Sequence, residues 1–155
     1  MISLRILLVL SVVFNGTLAG LSLDTALVKL PARKRIGAVA YAIFARGNDL
    51  GNGRVIYPAW AIISALLVFA AAILALVNQA SKAVLLDLAI ASALTIAHFL
   101  ATGKAAPVML SIKDAPDDER SLSAKLDVFA RWHAVRATLQ LLAFLALIGS
   151  LLMGR

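Results

Sequence analysis

The sequence predicts an all-α, polytopic membrane protein built as a bundle of four transmembrane helices. Three observations carry that prediction. Of the 155 residues, 62% are hydrophobic, against about half in an ordinary soluble domain. The apolar residues come in long blocks, not in the periodic stripe of a half-buried surface helix. The basic residues fall mostly between those blocks. Residues 1–155 read as a single transmembrane domain, with no internal repeat and no soluble domain.

A helix needs about 20 mostly apolar residues to cross the hydrocarbon core. Four windows meet that length: Ile6–Val28, Val55–Val77, Ala83–Ala101 and Ala134–Met153. The first window has a rival reading. Met1–Arg5 followed by Ile6–Val13 has the shape of the n- and h-regions of a signal peptide, with Thr17 and Ala19 as small residues for cleavage. Apolar character continues through Leu30, too long for a plain h-region, so the segment is read as a retained helix.

The connections differ from one another. The first contains Pro31 and the run Gly47, Asn48-Asp49, Gly51, Asn52 and Gly53, which predicts an irregular loop. The second, near Asn78 to Lys82, is so short that the two helices it joins must form an antiparallel hairpin. The third opens on Asp114 to Glu119 with Pro116, a turn and helix-start signal. Leu122, Leu126 and Phe129 then recur at helical spacing, which predicts an amphipathic helix over 120–132, lying on the membrane interface and running into the last span. Trp132 falls at the headgroup level, where Trp is favoured.

The formal net charge is +7. Lys29, Arg33, Lys34, Arg35, Arg46 and Arg54 lie in the first connection, and Lys104, Lys113, Arg120, Lys125 and Arg131 in the third. Only Arg5, Lys82 and Arg155 lie on the other side, a bias of eleven to three. By the positive-inside rule the two basic connections are cytoplasmic and both termini lie outside, as expected in a bacterial inner membrane. The same charges suit lipid headgroups as partners better than nucleic acid, because aromatic residues for base stacking are sparse. Within span one, Gly16-x-x-x-Gly20 permits close helix approach, either inside the chain or between two copies as a homo-oligomer face.

Chemistry must come from the few polar groups inside the spans, since each costs free energy in lipid. No cysteine is present and only two histidines are, which excludes thiolate chemistry and a three-His metal site. No metal is assigned. Asp24, His98, His133 and Arg136 converge on one depth, near the cytoplasmic end, whereas Asp87 lies near the other end. His133, Arg136 and Gln140 are spaced to share one helix face, as are Asp87 and His98. If those faces point inward, the bundle holds a polar pocket open toward the cytoplasm, with Asp24 paired to Arg136 or to a histidine. The alternatives are structural: interhelical hydrogen bonding for the histidines, snorkelling for Arg136, and solvation at helix ends for the aspartates.

The stretch Arg131-Trp132-His133-Ala134-Val135-Arg136 at the opening of the last span, with Asn15-Gly16-Thr17-Leu18-Ala19-Gly20 in the first, resembles a family of small four-helix membrane proteins that includes the anthrone oxygenases. One stretch departs from that pattern: Asp114-Ala115-Pro116-Asp117-Asp118 stands where a polar, Asn-containing segment is expected. The resemblance implies an enzyme acting on a flat, lipid-soluble aromatic without a metal or cofactor. His98 or His133 is then the general base and Arg136 the stabiliser of the oxyanion. Asp24, Trp132 and Gln140 are the candidate substrate-binding residues, with Trp132 stacking on the ring.

Other readings stand beside it. An accessory or scaffold subunit of a membrane complex uses the same polar residues as interhelical glue. A haem held between His98 and His133 is compatible with a four-helix bundle. A transporter is the weakest reading, because four spans read as unbroken provide no midplane site.

Overall fold

The computed structural model describes residues 3–154; Met1, Ile2 and Arg155 lie outside, and with them part of the n-region reading and one of the three charges on the terminal side. Six α-helices, one π-helical segment and one kinked segment build four long rods, and no strand occurs among the described residues. Each rod contains a stretch long and apolar enough to cross a membrane. The protein is a four-helix membrane bundle.

Helix α1 (Leu4–Asp24) begins at Ser3, whose hydroxyl accepts the Ile6 N–H. It runs through a π segment, Thr25–Lys29, into α2 (Leu30–Ile36). The cause of the π segment is local. Pro31 has no N–H to give the Leu27 carbonyl, so the α-helical ladder cannot continue unchanged. The extra residue is absorbed by the wider turn, with Leu30 N–H bonded to the Thr25 carbonyl. Gly37 then breaks the chain sharply at φ 88, a left-handed conformation that glycine adopts without a Cβ clash.

The first connection is therefore largely helical, and the irregularity its composition suggests is confined to a kink. Helix α3 (Ala38–Gly47) leads through a kinked segment, Asn48–Asn52, with Gly51 in a non-helical conformation, into α4 (Gly53–Val77). Two interactions invisible in the local sequence stabilise α3. Gly37 has no side chain to cap it, so the carboxylate of Glu119, distant in sequence, accepts the Ala38 and Val39 N–H groups at 2.6 and 3.0 Å. At the other end Arg46 pairs with Asp117 at 2.7 Å and donates to the Ile112 and Ala115 carbonyls. The acidic residues of the third connection thus clamp it onto α3, and Arg33 pairs with Asp127 beside them.

Helix α5 (Lys82–Leu110) follows the tight turn after α4, capped by the Ser81 hydroxyl. Helix α6 (Glu119–Met153) is continuous over 35 residues. At 1.5 Å per residue that is about 52 Å, far longer than the roughly 30 Å hydrocarbon core. The excess includes the 120–132 stretch. Leu122 and Leu126 are fully buried and Phe129 nearly so. Their neighbours are Leu30, Tyr41, Ala42, Ala45, Ala105, Met109 and Ile112 of the same chain. The apolar face is covered by protein, so this stretch is the first part of α6 and not a separate helix lying on lipid.

Consecutive long helices run antiparallel. Helix α6 packs against α1 and α5, and α4 packs against the same two, which leaves α4 and α6 on one diagonal of a square. One end of the square is filled by Leu8, Val68, Ala71, Ala75, Val84, Leu88, Ala91 and Leu147. The small alanines there bring helix backbones close, which suits packing in lipid. Within the Gly16/Gly20 motif the two glycines differ. A Cβ on Gly16 would lie 2.7 Å from the Phe144 ring of α6, whereas nothing lies within 4 Å of one on Gly20. Gly16 serves contact within the chain, and the two do not form one free face.

Candidate functional site

Toward the end carrying the first and third connections the four helices diverge around a cavity of about 270 Å³. All four rods, the π segment and the kinked segment contribute to its wall. Leu18, Ala61, Phe99, Ala106, Met109 and Phe129 make it mostly apolar. Its polar groups are Ser22, Thr25, Asp49, Arg54, Tyr57, His98, Thr102, His133 and Arg136. Pro58, inside α4, is also on the wall. It cannot donate to the Arg54 carbonyl, so α4 lacks one backbone hydrogen bond there while running unbroken from Gly53 to Val77.

His133 sits at the centre of a defined network. Its Nε2 is 3.0 Å from the Ser22 carbonyl oxygen of α1. Its Nδ1 is 3.0 Å from Nη2 of Arg136, one turn along α6. A carbonyl only accepts and a guanidinium only donates. The partners therefore fix His133 as a neutral ring with its proton on Nε2. Both nitrogens are engaged and the side chain is buried, so His133 orients Arg136 and has no lone pair free for a ligand.

His98 differs. Its Nδ1 makes one long contact, 3.4 Å, to the backbone carbonyl of Arg136. That partner places the proton on Nδ1. Nε2 then carries a lone pair, and no group of the protein hydrogen-bonds to it among the described residues. The ring lies edge-on to Phe99, also on the cavity wall. Arg136 completes the set. It forms no salt bridge among the described residues, and its Nε is buried without a partner. A buried donor without an acceptor is costly, and here it sits in the wall of an apolar cavity.

Of the four groups expected to converge, His98, His133 and Arg136 are brought together and Asp24 is not, and Trp132 and Gln140 also lie elsewhere. Asp24 pairs with Lys29 at 3.0 Å, not with Arg136 or a histidine. The π segment between them brings these two charges together on the outside of the rod. Trp132 is 39% exposed and is not on the cavity wall, because it points away from the buried His133 face of α6. Gln140 is buried one turn deeper than Arg136, donating to the Asn15 side chain at 2.6 Å, and it does not line the cavity. Asp87 lies at the far end of α5, close enough to Gly149 that a Cβ there would be 2.6 Å from its carboxylate.

Asp49, Tyr57 and Arg54 are the wall residues that the sequence reading missed. Asp49 was hidden in a glycine-rich run that resembles a loop. Pro58 near the start of span two was the available signal that this region departs from a regular helix. No cluster of three or more His, Cys, Asp or Glu residues suited to a metal occurs among the described residues. Ligation of an iron by His133 would cost one of its two hydrogen bonds, so the pair does not fit a bis-His haem as arranged.

No family model matches the chain, and no curated protein or solved structure matches it.

Proposed function

We propose that the cavity binds a flat, lipid-soluble aromatic and that the protein carries out anthrone-oxygenase-like chemistry on it. One observation carries this reading: an apolar cavity is lined by His98, whose Nε2 has no hydrogen-bond partner among the described residues, and by Arg136, whose Nε is buried without one. Hydrogen-bonding glue between helices is expected to be satisfied. These two groups are unsatisfied and belong to residues that line the cavity. The four-helix architecture and the resemblance of Arg131–Arg136 to the anthrone oxygenase family support the same reading.

In the proposed reaction Arg136 donates to the carbonyl oxygen of the ligand. His98 Nε2 removes a proton from the activated methylene, and the negative charge moves onto the oxygen held by Arg136. The resulting carbanion combines with dioxygen, and the peroxide anion takes the proton back from His98 to give a hydroperoxide. Loss of water leaves a second carbonyl. The methylene carbon is oxidised by four electrons, and one dioxygen supplies one carbonyl oxygen and one water. His133 is a positioning residue, since it holds Arg136 and touches no substrate. The eleven-to-three charge bias supports a cytoplasmic location for the cavity end, termini outside, in a bacterial inner membrane.

The test uses the full chain in lipid nanodiscs, supplied with anthrone in air. The expected result is anthraquinone formation above the buffer rate with one dioxygen consumed per product, lost in His98→Ala. Saturable binding without turnover would make the protein a carrier or an accessory subunit. Absence of both would overturn the reading.

A further inference from the structure

The cavity opens sideways, between α4 and α5. On α4, Arg54, Pro58 and Ile62 line it and are also exposed, spaced i, i+4 and i+8 along one edge of the helix. On α5, Phe99 and Leu110 line it and are exposed, with half-buried Ala106 between them on the same edge. The tight antiparallel turn after α4 sets Ile62 level with Phe99 and Arg54 level with Ala106. Wall residues that are also exposed form the rim of an opening. From Arg54 to Ile62 this slot is about 12 Å tall, at 1.5 Å per residue.

Packing explains why the slot exists. Helices α4 and α5 share a buried core at the alanine-rich end, where Val68, Ala71 and Ala75 meet Val84, Leu88 and Ala91. At the other end the buried core comes from α2, α3, α5, α6 and the third connection, and α4 contributes no residue to it. The two helices therefore part toward the basic connections. Gly103 lies on the rim edge of α5, one turn from Phe99. It is exposed, and nothing lies within 4 Å of a Cβ placed on it. Glycine inside a helix is destabilising relative to alanine, and no close neighbour requires it here. Its effect is to leave the rim low.

The remaining sides are bridged. Met109 and Phe129, the wall residues toward the connections, are buried against Tyr41, Ala42 and Ala45 of α3. Glu119 and the Arg46–Asp117 pair clamp α3 in place. His133 joins α6 to the Ser22 carbonyl of α1. Between α1 and α4 the Phe14 and Trp60 rings stack at 4.6 Å, and Trp60 donates to the Phe14 carbonyl. The slot itself lies between two membrane-crossing rods. Its rim is apolar except near Arg54, whose long side chain suits the headgroup level.

We infer that the slot between α4 and α5 is the entrance to the cavity, through which a ligand dissolved in the membrane enters sideways from the leaflet on the side of the basic connections. This rests on the ligand reading above and adds the route.

The chain has no cysteine, so introduced pairs are the only thiols. Val55→Cys/Gly103→Cys places a pair across the slot, at exposed positions off the cavity wall. Arg46→Cys/Asp117→Cys places one across the clamp on α3. Each pair is closed with a flexible bis-methanethiosulfonate linker and reopened with reductant. The probe is 1,8-dihydroxyanthraquinone, a flat lipid-soluble aromatic, with the full chain in nanodiscs. Equilibrium dialysis gives its affinity. Stopped-flow quenching of Trp60, next to the wall residue Ala61, gives its rate of entry in a Trp132→Phe background.

The slot link is expected to slow entry at least about tenfold and leave affinity within about twofold, because a blocked route changes rates and not the equilibrium. Reductant restores the rate. The α3 link is expected to leave the rate within about twofold. Gly103→Phe narrows the slot without a linker and is expected to slow entry too; it decides the matter if thermal melts show that the slot pair does not fold. Wild-type entry in the folded, linked slot variant overturns the entrance and leaves the cavity reading intact. Slowing by the α3 link alone does the same. No saturable binding to wild type overturns both.

Discussion

Two polar layers cross this bundle one or two helical turns apart, and they are built on different principles. In the layer nearer the alanine-rich end, Gln140 donates to Asn15, and Asn15 donates in turn to the Ser11 carbonyl. Both side chains are buried, and neither has an amide group among the buried atoms lacking a partner. In the layer nearer the basic connections, Arg136 is anchored to His133 yet keeps an unpartnered Nε. His98 keeps an unengaged ring nitrogen, and Asp49 and Tyr57 complete a cavity wall. The first layer is closed by amide hydrogen bonds between helices, with the neighbouring Ser11 hydroxyl left without a partner. The second is open and unsatisfied. The contrast separates a polar pair that holds helices together from a polar group that waits for a ligand.

Substitution sharpens that difference, beginning with the largest effect. Arg136→Met is expected to weaken binding of 1,8-dihydroxyanthraquinone by about 10- to 100-fold, the range for a lost hydrogen bond from a charged group. Stability should change by less than about 1 kcal/mol, because removal of a buried guanidinium offsets the loss of its bond to His133. Dialysis and a denaturation curve check the two halves. If Arg136 were glue, stability would fall instead.

Gly16→Val places a side chain against the Phe144 ring and is expected to destabilise by about 1–3 kcal/mol, the usual range for overpacking. Gly20→Val, with open space around it, should change the melting temperature little. A large loss at Gly20 would mean that its face is covered by another copy.

Asn15→Leu is expected to cost about 1 kcal/mol by orphaning Gln140, with the double variant Asn15→Leu/Gln140→Leu recovering part of it. Ligand affinity should stay within about twofold in all three variants, which a double-mutant cycle read by both stability and dialysis would show. The smallest effect is expected at Glu119→Gln. It weakens the cap on α3 by about 0.5–1 kcal/mol, seen as faster hydrogen exchange at Ala38 and Val39.

The sequence revealed what depends on composition and period. Apolar blocks located the spans because a helix crossing lipid needs about 20 mostly apolar residues, and helical spacing placed His133, Arg136 and Gln140 on one inward face. What stayed hidden depends on partners distant in the chain. Glu119 caps a helix that begins at Ala38, and no local signal at Gly37 announces that cap. The glycines and asparagines of 47–53 resemble a loop and form a kink at Gly51, and nothing in their composition announces that Asp49 lines the cavity. Asp24 seemed positioned to pair with Arg136 because depth along a helix is readable, whereas the side of the helix depends on the π turn after it. Lys29 took that partner. Trp132 and His133 are adjacent in sequence, and helical geometry sends one outward and the other into the bundle.

The central claim is that the open layer is a ligand site. The most direct measurement is the melting temperature of wild type, Arg136→Met and Asn15→Leu against rising 1,8-dihydroxyanthraquinone. A ligand that binds only the folded state raises stability with its concentration. The account predicts a rise in wild type, an equal rise in Asn15→Leu above its lower starting point, and none in Arg136→Met. No rise in wild type, or the same rise in Arg136→Met, would contradict it.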